Sequence, residues 1–321
     1  MKTSVVTSQR AQKVTSLSPM ELNRPCPVCG NSYRKRCQRW YAISEFEVLR
    51  CRDCGFTFIN EVVNDNSGFP AEYDFKVAPL LVTKAANDFE RVKEKLKAAG
   101  ITEDADRSLL DVGCGIGNFL QQAQRAGWRV AGLDLSPSVA AYAREQRGLD
   151  VNSGSIEANT SFPPTSFDLI TMFGVIEHLA NPGGAAEECA RLLRPGGILI
   201  LQTPTEDGLM RRVGRLLYWA TGGLVTFQVK QLYQMGGGHS TCFNRRSMRT
   251  LLDRYGFDVL SLEQSTYGLR VLLMRFDDLP FFEKLINSLG TFILFSLGQI
   301  IGGSNHMTVC AQRRANAFTV S

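Results

Sequence analysis

Three observations predict an α/β fold built on a doubly wound, mostly parallel sheet. The apolar run ending in Leu109-Leu110-Asp111-Val112 passes through three alternating glycines, Gly113, Gly115 and Gly117. It then enters Asn118-Phe119-Leu120, the opening of an amphipathic helix that runs to about Ala126. Four more apolar runs alternate with helical segments as far as Thr203, the order expected when helices cover both faces of parallel strands. Ahead of them, Cys26-Pro27-Val28-Cys29-Gly30 and Cys51-Arg52-Asp53-Cys54-Gly55 form two C-x-x-C-G knuckles, which mark a separate small unit.

The 321 residues are 44% hydrophobic and 21% charged, a globular composition that excludes a disordered chain. The net charge of +5 is mild: it permits contact with anionic lipid or nucleic acid without demanding it. The first 22 residues are polar with no apolar h-region, so no secretory signal is expected and the location reads as cytoplasmic. Nine cysteines, an odd number in such a compartment, argue against a disulfide framework. The expected order is a flexible tail over 1–20, the knuckle unit over 21–60, and a linker with a covering helix over 61–107. A main domain fills 108–321, with insertions at 205–238 and 266–304.

With 21 residues between them, the knuckles read as a four-thiolate zinc ribbon whose ligands are Cys26, Cys29, Cys51 and Cys54. Four cysteines fill a tetrahedral ion, so the Zn2+ is structural; a redox role lacks the βαβ setting it needs. Arg34, Lys35, Arg36, Arg39, Arg50 and Arg52 are either a solvated face around the metal or a nucleic-acid-reading face. Cys37 reads as an ordinary thiol. Val77 to Ala99 has helical periodicity and should cover the sheet, with Tyr73 just ahead of it, packing or reaching the cofactor mouth.

The glycine turn admits a ligand close to the backbone, and the amides of the next helix point into the gap. Its spacing is not the G-x-G-x-x-G of dinucleotide sites. Asp134 ends the next apolar run, 23 residues after Asp111, where a carboxylate can take both hydroxyls of a ribose. Together with Phe167–Leu179 and the Leu193-Arg194-Pro195-Gly196-Gly197 turn, these blocks resemble class I S-adenosylmethionine-dependent methyltransferases over about Leu109 to Gln312.

The resemblance implies a seven-stranded Rossmann-like sheet with S-adenosylmethionine at the carboxyl ends of its strands. Gly113, Gly115 and Gly117 would admit the donor's methionine portion, with Asp111 fixing the turn. Asp134 would bind the ribose, Leu135 would join the cofactor site, Ser155 and Ile156 would border the adenine, and Phe173 would line the methyl end. Related chains often carry an acidic residue where Ser155 stands, so the adenine contact departs from the pattern here.

Local signals place the remaining elements. Ser136-Pro137 reads as a hydroxyl N-cap with proline at the first helical position, and Asn244 as the N-cap of a helix to Tyr255. The turn Phe173-Gly174-Val175-Ile176-Glu177-His178-Leu179 follows the fourth strand. His178 within it is either a base for the acceptor or, with Glu177, a brace for the turn. His239 follows Gly236-Gly237-Gly238 and has the same two readings, substrate contact or brace.

The insertions carry a hydrophobic question. Met210, Val213, Leu216 and Leu217 share one face of a helix with Arg211, Arg212 and Arg215 opposite or flanking, a basic amphipathic helix suited to a membrane surface or a lid. Leu285 to Gly303 has 19 residues without a charge, long enough to consider a membrane span. Polar and glycine residues dilute it, and Met307–Ala311 reads as the last strand of the sheet, which one crossing would strand. The expectation is a helical hairpin that covers the pocket or dips into a bilayer interface.

The sequence thus predicts methyl transfer to an oxygen or carbon of a small-molecule, sugar or lipid-linked acceptor, with peripheral membrane contact. An RNA methyltransferase using the ribbon is one alternative. A non-catalytic ribbon module on a degenerate fold is the other.

Overall fold

The computed structural model describes residues 25–30, 37–42, 47–59, 71–101, 107–158, 160–224, 239–265, 281–300 and 303–315. The tail 1–20, the basic stretch Arg34–Arg36 and the glycine triplet 236–238 lie outside them.

The main sheet has seven strands. In chain order they are β4 (Ser108–Val112), β5 (Arg129–Asp134), β6 (Val151–Ser153), β7 (Phe167–Phe173), β8 (Leu193–Pro204), β10 (Phe257–Ser265) and β11 (His306–Arg313). Across the sheet the order is β10-β11-β8-β7-β4-β5-β6. Six strands point the same way, and β11 alone of the seven runs antiparallel, between β8 and β10. The order reverses between β4 and β7, and ligands of such sheets bind at the carboxyl ends beside that point.

Alternation along the strands splits the core in two. Leu109, Leu169, Ile198 and Ile200 face the helices α1 (Ala71–Ala98), α2 (Asn118–Arg125) and α3 (Pro137–Arg147). Leu110, Ile170, Leu199 and Leu201 face α4 (Pro182–Leu192) and α6 (Arg245–Arg254) on the other side. Neighbouring residues of one strand thus enter opposite cores, the period-two pattern of a sheet buried on both faces.

A second sheet, β1 (Cys37–Ala42), β2 (Glu47–Cys51), β3 (Thr57–Ile59) and β9 (Thr241–Cys242), joins the cysteine unit to the main domain. Its Val28, Cys51, Phe56 and Phe58 belong to the same core as Phe243, Met248, Leu251 and Leu252. The Phe56 and Phe243 rings lie 4.8 Å apart. Arg254 donates to the Val28 carbonyl at 3.2 Å, and Asn244 to the Gly55 carbonyl at 2.9 Å.

Several local expectations change. α1 begins at Ala71, six residues before Val77, so its first turns take in the end of the stretch read as linker. β8 starts at Leu193, and the Arg194–Gly197 turn lies within it as an irregularity between the Phe167 and Leu169 pairings. Ser136 does not cap α3 with its hydroxyl. Its Oγ meets Ser138 Oγ at 3.1 Å, while its N–H donates to Asp134. Asn244 does cap α6, in a reciprocal box with Ser247.

Of the two faces of α5 (Leu209–Ala220), the packed one carries an arginine. The residues it buries are Arg211, Gly214 and Tyr218, whereas Leu216 is 68% exposed and Trp219 55%. The cause is Glu206, itself buried, whose carboxylate needs a cation: Arg211 meets it at 2.8 Å and Arg215 at 3.7 Å. Removing Arg211 leaves the buried Glu206 carboxylate only the longer contact with partly exposed Arg215. Arg211→Ala is therefore expected to destabilise the protein by about 3–5 kcal/mol, read as a fall in the denaturant midpoint. A fall worth under about 1 kcal/mol, the range of an exposed pair, would refute that burial.

Helix α7 (Phe281–Ile300) packs against α5, and β11 then returns to the sheet. Among the described residues, no helix is long and apolar enough to cross a membrane.

Candidate active site

The glycine turn follows β4. Gly113 and Gly117 have φ of +71° and +84°, and a Cβ on either would lie 2.3 Å from Val175 Cγ2 or 2.2 Å from Leu149 Cδ1. Only glycine fits both the angle and the space. Asp134, at the end of β5, clamps the turn: its Oδ2 accepts from Gly115 N and its Oδ1 from Ser136 N, each at 2.9 Å. Each oxygen keeps a second lone pair for a ligand. Burial pushes the Asp134 carboxyl up, and the two N–H donors oppose the shift.

Asp111 is buried under the turn and accepts from Thr171 Oγ1 at 2.7 Å. Burial drives its carboxyl up to about 7, against the opposing Thr171 bond and the Lys84 charge. A carboxyl raised in the folded state contributes stability that is fully present below its unfolded value and is lost as pH rises through its folded one. The window here runs from the ordinary 3.8 to about 7. Asp111→Asn keeps an acceptor for Thr171 and removes the titration. Its melting temperature is expected to rise relative to wild type between those pH values; a pH-independent difference would disprove the buried titration.

Lys84 and Asp88 of α1 were not singled out from the sequence. Asp88 is 4% exposed and pairs with Lys84 at 2.5 Å. Lys84 Nζ lies 5.4 Å from the Phe173 ring centre, and the Phe119 ring stands edge-on to Phe173 at 5.1 Å. A carboxylate on the stripe of Ala85, Phe89, Val92 and Leu96 was the available signal, since such a position is otherwise apolar. Ser155 bonds locally: its Oγ accepts from Glu157 N at 3.2 Å. Ile156 is buried, and nothing is described of the side chain of Tyr73.

At the end of β7 a short 3₁₀ turn, Ile176–His178, carries Glu177 and His178. The segment before β9 lies on it. Ser240 N donates to the Glu177 carbonyl at 3.0 Å, and Thr241 Oγ1 to the Ile176 carbonyl at 3.3 Å. These bonds bring His239 against His178, ring centres 4.9 Å apart at 68°. Glu177 is buried beside them, its Oε2 accepting from Thr203 at 2.9 Å. Burial pushes its carboxyl up, and the His178 and Arg211 charges oppose the shift. The structure therefore unites two histidines 61 residues apart in sequence.

In the ribbon, the sulfurs of Cys26, Cys29, Cys51 and Cys54 all lie within 4.8 Å of one another. Cys26–Cys54 and Cys29–Cys51 are 3.7 and 3.6 Å apart, close to the ~3.8 Å edge of a tetrahedron with Zn–S of about 2.3 Å. The donor set fits zinc. Cys37 lies outside it, its thiol driven up to about 12 by burial and by the neighbouring cysteines. Among the described residues, three ribbon arginines are engaged within the chain: Arg50 lies 4.3 Å over the Trp40 ring, Arg39 pairs with Glu47, and Arg52 donates to Gln38.

This sheet order, with its glycine turn and acidic strand end, defines the class I S-adenosylmethionine-dependent methyltransferases. The chain belongs to that family: residues 85–262, more than half of it, match the methyltransferase domain. It is similar to a probable S-adenosylmethionine-dependent methyltransferase of Mycolicibacterium smegmatis, with 29% identity over 48% of this chain and 53% of the relative. It is also similar to the ubiquinone biosynthesis O-methyltransferase of Azoarcus sp. (strain BH72), with 35% identity over 31% of this chain and 45% of the relative. The chain thus spans about half the length of these curated relatives. A solved structure, the "putative sarcosine dimethylglycine methyltransferase" from Galdieria sulphuraria, superposes with a TM-score of 0.52 at 16% identity. It covers 72% of this chain and 86% of that one, and it shows the fold alone.

Proposed function

We propose that the protein transfers a methyl group from S-adenosylmethionine to a hydroxyl of a small-molecule or lipid-linked acceptor. The observation that carries this reading is the paired His178 and His239 over buried Glu177, at the carboxyl end of the strand next to the glycine turn. The sulfonium is already activated, so the chain must align the acceptor with the methyl carbon, exclude water and promote loss of the hydroxyl proton. Gly113, Gly115 and Gly117 admit the methionine end above Asp111, Asp134 with Leu135 takes the ribose, and Ser155 and Ile156 border the adenine. Phe173, backed by Phe119 and Lys84, lines the methyl end. The four cysteines hold one structural Zn2+. Ubiquinone-pathway O-methyltransferases among the relatives support a small hydroxylated acceptor.

An exposed apolar surface supports the lipid-linked form. Leu285, Leu289, Phe292, Ile293, Leu297 and Ile300 make one stripe along α7, and α5 adds Leu216, Leu217 and Trp219. At the base of the two helices a cleft of about 490 Å³ is lined by Arg212, Arg245 and Arg246. Apolar side chains beside arginines suit an anionic bilayer interface. The partners of Arg39, Arg50 and Arg52 favour the solvated-face reading over RNA recognition for these three residues.

The test is labelled S-adenosylmethionine with host extract, fractionated into lipid, small molecules, RNA and protein. Label in lipid or small metabolites supports the reading; label in RNA overturns it. Asp134→Ala is expected to weaken donor binding at least about tenfold in calorimetry, the loss of one or two charge-assisted hydrogen bonds. Unchanged affinity would take Asp134 out of the ribose site.

A further inference from the structure

We propose that Glu177, His178 and His239 form a second metal site, which holds a divalent first-row cation and binds the acceptor oxygen through it. The proposal rests on the O-methyltransferase reading above and specifies how the same residues act.

Geometry is the first support. One carboxylate oxygen and one ring nitrogen from each histidine lie within 4.8 Å of one another. Two imidazoles bound side by side to an ion at about 2.1 Å have ring centres about 5 Å apart, and here the distance is 4.9 Å. Both rings are half-buried, on segments tied together through Ser240 and Thr241.

Charge is the second. Glu177 is 3% exposed; it accepts from a neutral hydroxyl, Thr203, and the only charges acting on it among the causes of its shift are those of His178 and Arg211. A buried carboxylate gains most from a cation brought onto its other oxygen. Thr203 meanwhile fixes the ligand's orientation, the outer-shell role common around metal sites.

The donor set is the third. Two imidazoles and one carboxylate leave coordination positions open, unlike the four cysteines, and their N/O character suits Mn2+, Fe2+, Co2+ or Zn2+. The acceptor hydroxyl enters an open position, and the ion lowers its pKa so that its proton passes to solvent. The oxygen then forms a bond to the methyl carbon as the carbon–sulfur bond breaks. The bonding pair goes to sulfur, leaving a neutral thioether, and the ion keeps its oxidation state. An acceptor with a second oxygen next to its hydroxyl, a catechol or vicinal diol, fills two positions and is the preferred class.

The experiment titrates Mn2+ into protein that carries one zinc per chain, the ribbon's, after a chelator has removed any other metal, followed by electron paramagnetic resonance. Mn2+ is hard and does not displace zinc from four thiolates. The expected result is one bound Mn2+ per chain, with affinity lowered at least tenfold in Glu177→Gln and in His239→Ala. His239 lies in a loop, so its variant keeps the measurement open should Glu177→Gln fail to fold. No bound Mn2+, or equal binding by folded variants, overturns the site. Full methyl transfer after a chelator has removed all metal except the ribbon zinc also overturns it, and leaves the O-methyltransferase reading standing. A protein that binds Mn2+ at these residues but does not bind S-adenosylmethionine fails the other way.

Discussion

Loss of the ribbon metal is expected to lower the melting temperature by more than about 10 °C and to abolish methyl transfer with it. Structural zinc on four thiolates contributes on the order of 10 kcal/mol of apparent binding energy, which for such a unit is folding energy. A domain's whole stability is about 5–15 kcal/mol, and a few kcal/mol moves a domain of this size by roughly 10 °C. The effect does not stay local, because the ribbon's described core residues pack with residues of the main domain. Phe56 and Phe58 share theirs with Phe243 and Met248. β3 pairs with β9 through Thr57–Cys242 and Phe58–Thr241, and Ile59 N donates to the Ser240 carbonyl. Ser240 in turn bonds the Glu177 carbonyl, so the ribbon holds His239 against His178. Cys51→Ser, with metal content, melting and donor binding measured together, checks this chain of contacts. The donor site, on β4 and β5, should suffer less than transfer. A metal-free protein with an unchanged melting temperature would refute the structural role of zinc.

The main sheet was legible because it is written in local patterns. Buried strands read as apolar runs, the glycine turn has one spacing, and Arg194-Pro195-Gly196-Gly197 ends a helix by residue type alone. The cysteine knuckles were legible for the same reason. What stayed hidden depended on partners distant in sequence. The face that α5 buries is set by Glu206 and the ribbon's Tyr41 and Trp40, so the helix's own sequence left its orientation open. The union of His178 with His239 depends on a strand pairing between β3 and β9, and two residues carry no periodicity to read. Asp88 sat in plain view on an apolar stripe, but its meaning requires knowing that Lys84 and Phe173 lie beside it.

Substituting His178 by asparagine is expected to lower kcat by roughly 10²–10⁴, the usual contribution of a group that promotes proton loss in the transition state. Donor affinity should barely move, because the donor's proposed contacts come from the glycine turn and Asp134 rather than from the 3₁₀ turn. A purely bracing histidine predicts a different pattern. Its loss would loosen the Ile176–His178 turn, lower the melting temperature, and weaken acceptor binding in step with the rate. The two cases separate on the split between kcat and KM together with the melting curve. His239→Asn should reproduce the kcat loss, since the two rings face one acceptor oxygen from segments that Ser240 pins together. Residues that act as a unit are not additive, so the double variant should fall no further than the worse single one. A product of the two separate losses would mean that the histidines serve different steps, and that the cluster at the end of β7 is not one site.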